Sequence, residues 1–88
     1  MMAEPRVTKL RVAERALKRL PPKHRSQVWS KIKSLQINPR PQDYRKLKGI
    51  EGYRVTVGEY RVLYTIDDQE QMVTVYLILQ RGEGYPTE

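Results

Sequence analysis

Between Tyr53 and Ile66 the chain alternates side-chain character with a period of two, and the alternation breaks once, at Gly58-Glu59. Tyr53, Val55 and Val57 alternate with Arg54 and Thr56; past the break, Val62, Tyr64 and Ile66 alternate with Arg61, Leu63 and Thr65. A period of two sends successive side chains to opposite faces of a strand, and a two-residue Gly-X loop joins antiparallel neighbours. The stretch predicts a β-hairpin whose loop sets the register. With Gly58 and Glu59 in the loop, paired residues have numbers that sum to 117. Val55 then faces Val62 and Tyr53 faces Tyr64 on the apolar side, while Thr56 faces Arg61 and Arg54 faces Leu63 on the other. Arg54 and Arg61 share the face turned away from the core.

A third run, Met72 to Gln80, follows the polar turn Asp67-Asp68-Gln69-Glu70-Gln71 and puts Val73, Val75, Leu77 and Leu79 on one face. Strict alternation would carry Arg81 to the apolar side, so Arg81 is expected past the regular strand, at a rim within reach of the Arg61 surface. Upstream the period changes. Ala13, Ala16, Leu17 and Leu20 have helical spacing and are stopped by Pro21-Pro22. Pro22 suits the first turn of a second helix, in which Val28, Trp29, Ile32 and Leu35 line one face until Asn38-Pro39 ends it. Residues 5 to 11 read as a short strand, residues 38 to 49 as a connecting loop, and residues 82 to 88 as a mobile tail. The expected fold is α+β in the order β-α-α-β-β-β. Two N-terminal helices pack on one face of a small antiparallel sheet, in a single domain spanning residues 1 to 88.

No cysteine is present, so neither a disulfide nor a thiolate metal site can staple the fold, and nothing argues for an oxidising compartment. No apolar run approaches the roughly 20 residues of a membrane span, and the first residues lack the apolar stretch of a signal peptide. A cytoplasmic protein, neither inserted nor exported, is expected. The net charge of +7 suggests a polyanionic or acidic partner, for which RNA, DNA and an acidic protein all qualify. The charge is unevenly spread: residues 1 to 48 hold fourteen Lys and Arg against three acids, and residues 49 to 88 hold three against seven. Arg15, Lys18, Arg19, Lys23, Lys31 and Lys33 fall on the outer helix faces as solvated surface. Arg54, Arg61 and Arg81 are the three bases of the second half. The first two are either ordinary solvent-facing strand arginines or a grip for phosphate oxygens, to which a guanidinium donates in bidentate fashion.

Other chemistries fit poorly. The single histidine, His24, lies among Lys23 and Arg25 at the start of the second helix, so a two-histidine ribonuclease mechanism is excluded. Asp67, Asp68 and Glu70 sit where acidic residues are ordinary turn formers, which leaves a Mg²⁺-dependent nuclease unsupported. No metal and no cofactor are expected.

Leu47-Lys48-Gly49, the continuous run from Gly52-Tyr53-Arg54 through Gly58-Glu59-Tyr60-Arg61-Val62-Leu63-Tyr64, and Gln80-Arg81 with nearby Tyr85 together resemble the RelE/ParE toxin superfamily. The resemblance spans essentially the whole chain, and its most specific part is G-[DE]-Y-R-[VL]-[VL]-Y. It implies the fold already expected and a toxin of a type II toxin-antitoxin pair. RelE-like members are ribosome-dependent endoribonucleases, whereas ParE-like members act on DNA gyrase. Arg81 followed by Tyr85 favours the first kind, the alternatives being a gyrase poison and an inactive RNA- or protein-binding module. By resemblance, Arg61 and Arg81 match two phosphate-stabilising arginines, Arg54 stands where RelE-type enzymes often carry Lys, and Tyr85 matches a C-terminal Tyr that assists proton transfer. Arg45, Lys46 and Lys48 are assigned, with Arg54, to gripping RNA or the ribosome. The chain departs from the pattern in having Thr56 where some active members have a second Lys, and in the short Gly82-Glu83-Gly84 spacing between Arg81 and Tyr85. The partners implied are the ribosome, messenger RNA and an antitoxin with an acidic or amphipathic helical segment, assembled as a toxin-antitoxin hetero-oligomer.

Cleaving RNA without a metal requires removing the ribose 2′-OH proton and neutralising the charge that develops on the phosphate. Arg61 and Arg81 suit the second need. Tyr85 is either the base, its ordinary pKa of about 10 depressed by a neighbouring guanidinium, or an aromatic packed against the sheet.

Overall fold

A computed structural model describes residues 8–84. In chain order the elements are β1 (Lys9–Val12), α1 (Glu14–Lys18), α2 (Pro22–Ile37), β2 (Arg45–Lys46), β3 (Tyr53–Val57), β4 (Tyr60–Asp67) and β5 (Met72–Gln80). They form one five-stranded sheet in the order β1-β5-β4-β3-β2 with both helices on one face. Among the described residues no helix is long and apolar enough to cross a membrane.

The β3–β4 hairpin has the expected register throughout, from Tyr53 opposite Tyr64 to Val57 opposite Tyr60. Gly58 supplies the positive φ of 57° that its position in the tight turn requires. At the next turn Asp67 accepts the Glu70 N–H at 3.0 Å, the local role expected of an acidic turn residue.

The helical side of the sheet carries the main core. Val28, Ile32 and Leu35 of α2 pack with Val55, Val62, Tyr64, Val73, Val75 and Ile78. Their i, i+4, i+7 spacing makes one narrow stripe on α2. Trp29, expected on that stripe, is instead 39% exposed. It lies one residue, or about 100°, around from Val28 and lines an apolar groove with Leu10, Val12, Leu17 and Pro22. Helix α1 is shorter than the pattern from Ala13 to Leu20 suggested, because Pro21-Pro22 follows closely; Leu20 is still buried beyond its end. The guanidinium of Arg25 closes that end by donating to the carbonyls of Leu20 at 2.9 Å and Leu17 at 3.2 Å, so this basic residue is a helix cap.

Four further expectations need correction. The strand expected over residues 5 to 11 is described from Lys9 to Val12, and its residues 5 to 7 lie outside the described residues. β1 pairs parallel to β5, Lys9 opposite Met72 to Val12 opposite Val75, so the sheet is mostly rather than wholly antiparallel. This follows from the chain crossing the helices before it returns, which permits a parallel neighbour that a tight turn could not make. The supposed loop at residues 38 to 49 contains β2, with Arg45 opposite Arg54 and Lys46 opposite Tyr53. Finally, β5 does not keep one alternation. Leu63 pairs with Leu77 but Tyr64 pairs with Val75, leaving Tyr76 as the extra residue of a β-bulge. Val73, Val75 and Ile78 therefore face the helices, whereas Leu77 and Leu79 join Leu47, Leu63, Ile50 and Tyr76 in a smaller apolar cluster elsewhere.

Segment 47–52 covers that second cluster. Leu47 N–H donates to the Gly52 carbonyl at 3.0 Å, and Tyr76 hydroxyl donates to the Glu51 carbonyl at 3.2 Å. Gly52 has φ 123° and approaches β4 so closely that a Cβ there would lie 2.6 Å from the Tyr64 carbonyl oxygen. Only glycine meets both requirements.

Candidate phosphate-binding site

The bulge at Tyr76 determines where Arg81 lies. Past it, Ile78 faces the helices and Leu79, opposite Arg61, faces the other way. Counting on, Gln80 returns to the helical side opposite Tyr60, and Arg81 comes out on the face that carries Arg61. The rim position expected for Arg81 thus has a definite cause: one inserted residue shifts the phase of the strand. Arg81 N–H donates to the Glu59 carbonyl at 2.6 Å, fastening this residue to the β3–β4 turn.

Arg54, Thr56, Gly58, Glu59, Arg61 and Arg81 consequently line one hollow of about 180 Å³. Arg54 Nη1 donates to Thr56 Oγ1 at 3.2 Å, so the threonine orients the Arg54 guanidinium. Glu59 is the acidic residue of the lining; the sequence marked it as a hairpin-loop residue, two positions before Arg61, and not as part of a site. Arg54 also borders a neighbouring hollow of about 250 Å³, which it lines with Lys46, Leu47 and Lys48. Three of the four residues assigned to gripping RNA are brought together there. The fourth, Arg45, shares the Arg54 face by its pairing, but its Nη1 donates to the Tyr44 carbonyl at 2.8 Å and it lines neither hollow.

Tyr85 lies outside the described residues. His24 stands on the helical side, its ring 5.3 Å from that of Tyr60 in a tilted pair. Among the described residues no group of three or more His, Cys, Asp or Glu could hold a metal ion.

Two tyrosines have raised pKa values. Tyr64 is pushed up chiefly by burial, and its hydroxyl donates to the Pro39 carbonyl at 2.7 Å; Tyr76 is raised by burial and by nearby Glu51. Both are therefore protonated hydrogen-bond donors near neutral pH. What the hollow offers chemically is a concave set of guanidinium donors, sized and charged for a phosphate group.

Residues 8–85 match the family model for the ParE toxin of type II toxin-antitoxin systems, parDE. A toxin named RelE1 from Methanocaldococcus jannaschii is 34% identical over 73 residues, which cover 78% of this chain and 81% of that one. The fold is similar to a chain of the RelBE2 toxin-antitoxin complex of Mycobacterium tuberculosis, with a TM-score of 0.73 and 26% identity over 88% of this chain and 94% of the other. It is also similar to a chain of the intact RelBE toxin-antitoxin complex of E. coli, with a TM-score of 0.69 and 28% identity over 88% and 99%. With a match that runs from β1 past Arg81, the chain belongs to the RelE/ParE superfamily, as a RelE-like toxin of the type II toxin-antitoxin class.

Proposed function

We propose that this toxin is an endoribonuclease that cuts messenger RNA in the ribosomal A site without a metal ion. The observation that carries the reading is the convergence of Arg54, Arg61 and Arg81 on one hollow. In the reaction the ribose 2′-oxygen attacks the adjacent phosphorus and its proton is removed. The bond to the 5′-oxygen then breaks and that oxygen takes up a proton, leaving a 2′,3′-cyclic phosphate and a 5′-hydroxyl. Charge grows on the non-bridging oxygens as the new bond forms. Arg61 and Arg81 stabilise that charge, a contribution of about 3 to 4 kcal/mol per preorganised donor by analogy with oxyanion sites.

Arg54, oriented by Thr56, grips the phosphate, and Lys46 and Lys48 hold the neighbouring backbone, with Arg45 at the same sheet edge. Tyr85, four residues beyond Arg81, is assigned proton transfer. Guanidinium groups are poor bases, so the site depends on the ribosome to position the strand for attack. A cognate antitoxin silences the toxin by binding it, as the toxin-antitoxin complexes among its structural relatives support.

Primer extension on translated and untranslated messenger RNA tests this reading. Cuts should appear in the translated message, with free RNA cut poorly. Equal cleavage with and without ribosomes defeats ribosome dependence. Gyrase-linked DNA breaks without messenger cleavage would instead establish the ParE-like activity, and binding without either would establish an inactive module.

A further inference from the structure

Arg81 is the least supported of the three arginines. It stands one residue beyond β5, held to the β3–β4 turn by its own N–H on the Glu59 carbonyl at 2.6 Å, and is followed by Gly82 at φ 99°. It also shares a hollow with two other guanidinium groups. Like charges so arranged repel, offset in part by Glu59 of the same lining, and with one backbone bond as its tie the strand end would splay to relieve the repulsion unless a further restraint opposed it.

We propose that Glu83 is a positioning residue for Arg81. The Glu83 N–H donates to the Gln80 carbonyl at 3.0 Å, and the Gln80 N–H donates to Glu83 Oε1 at 2.7 Å. The four residues Gln80 to Glu83 are thus tied in both directions, with Arg81 inside the loop and its own N–H on the Glu59 carbonyl. Oε2, the other carboxylate oxygen, faces Arg19 of the α1–α2 connection at 3.8 Å. That exposed pair contributes little by itself, so the Gln80 N–H bond is the main restraint.

Glu83 lines a different hollow, with Ala16, Arg19, Leu20 and Tyr60, and is absent from the lining of the arginine hollow. Its carboxylate therefore touches no reacting atom and acts through the placement of Arg81. This rests on the ribonuclease reading above for its kinetic consequence, but its structural consequence stands independently.

The experiment combines single-turnover cleavage on ribosomes with amide hydrogen exchange on the free protein. Glu83→Ala should slow cleavage by about 10- to 100-fold, the effect of displacing a charged group by roughly an ångström, without changing the ribosome concentration that half-saturates. Glu83→Gln should cut at close to the wild-type rate, because its amide oxygen still accepts the Gln80 N–H. Adding Glu83→Ala to Arg81→Ala should change nothing further, since the two act as a unit. In the free protein, exchange at the Gln80 and Arg81 amides should speed up in Glu83→Ala and not in Glu83→Gln. Full activity of Glu83→Ala, or an undiminished effect in the Arg81→Ala background, overturns the proposal. If the wild-type toxin proves not to cut messenger RNA, the ribonuclease reading fails and exchange alone decides: unaltered protection in Glu83→Ala then overturns the positioning role.

Discussion

Arg61 lies between Tyr60 and Val62, both of which are buried on the helical side while Arg61 itself points to the arginine hollow. Shortening it removes a cationic donor and leaves the main core untouched. Arg61→Ala should therefore lower single-turnover cleavage by about 100- to 1000-fold, the range for one preorganised donor. Folding free energy should shift by no more than about 0.5 kcal/mol, as for a surface substitution. A variant that binds ribosomes normally and cuts at the wild-type rate would make Arg61 a surface residue. The pairing of Arg54 with Arg61 on one face was legible in the sequence, because a two-residue loop leaves the register no freedom. The face of Arg81 was not, since an inserted residue in β5 changes no amino-acid type and leaves Met72 to Gln80 looking like unbroken strand. The bond from Arg54 to Thr56 and the tie from Gln80 to Glu83 were hidden for another reason: periodicity assigns a polar residue to a face without naming its hydrogen-bond partner, and only folded geometry shows what it holds.

Elements with strong periodicity were legible and those made by tertiary contact were not. α2 and the hairpin follow their apolar spacing, whereas β2 is two charged residues made into a strand by pairing with β3. Ahead of β2, segment 38–44 is clamped at two exposed points. Lys31 Nζ donates to Asp43 at 3.0 Å, and Arg40 donates to both oxygens of Asp68 at 3.0 and 2.9 Å, joining the segment to α2 and to the β4–β5 turn. The hydrogen bond from Lys31 holds Asp43 below the ordinary value of 3.8, and the bond from Arg40 does the same for Asp68. Depressed folded-state pKa values give stability that is present above the unfolded value and lost as pH falls through the folded ones. The double variant Asp43→Asn, Asp68→Asn should thus melt below wild type near neutral pH. The gap should begin to narrow as pH falls below about 4 and close only once pH has passed the depressed folded-state values, where the wild-type carboxylates also become neutral. Both pairs are exposed, so the difference should be small and reduced by salt. A gap of constant size across that pH range would show that the substitutions act by something other than charge.

Taken whole, the molecule carries +7, and its acidic residues do not cancel the basic ones locally: residues 1 to 48 hold fourteen Lys and Arg against three acids. The sheet gathers Lys46, Lys48 and Arg54 around one hollow, so folding concentrates positive charge there. A charge field of this kind acts at a distance, before any contact is made, and so governs encounter more than the lifetime of a complex. The association rate constant with an acidic antitoxin segment should therefore fall steeply as salt rises from about 0.01 to 0.15 M, over which the screening length shrinks from roughly 30 to 8 Å. The dissociation rate, set by close-packed contacts, should change far less. Stopped-flow mixing at several salt concentrations separates the two rates. An association rate that stays flat means the partner is not captured by electrostatic steering, and the basic helices are then merely solvated surface.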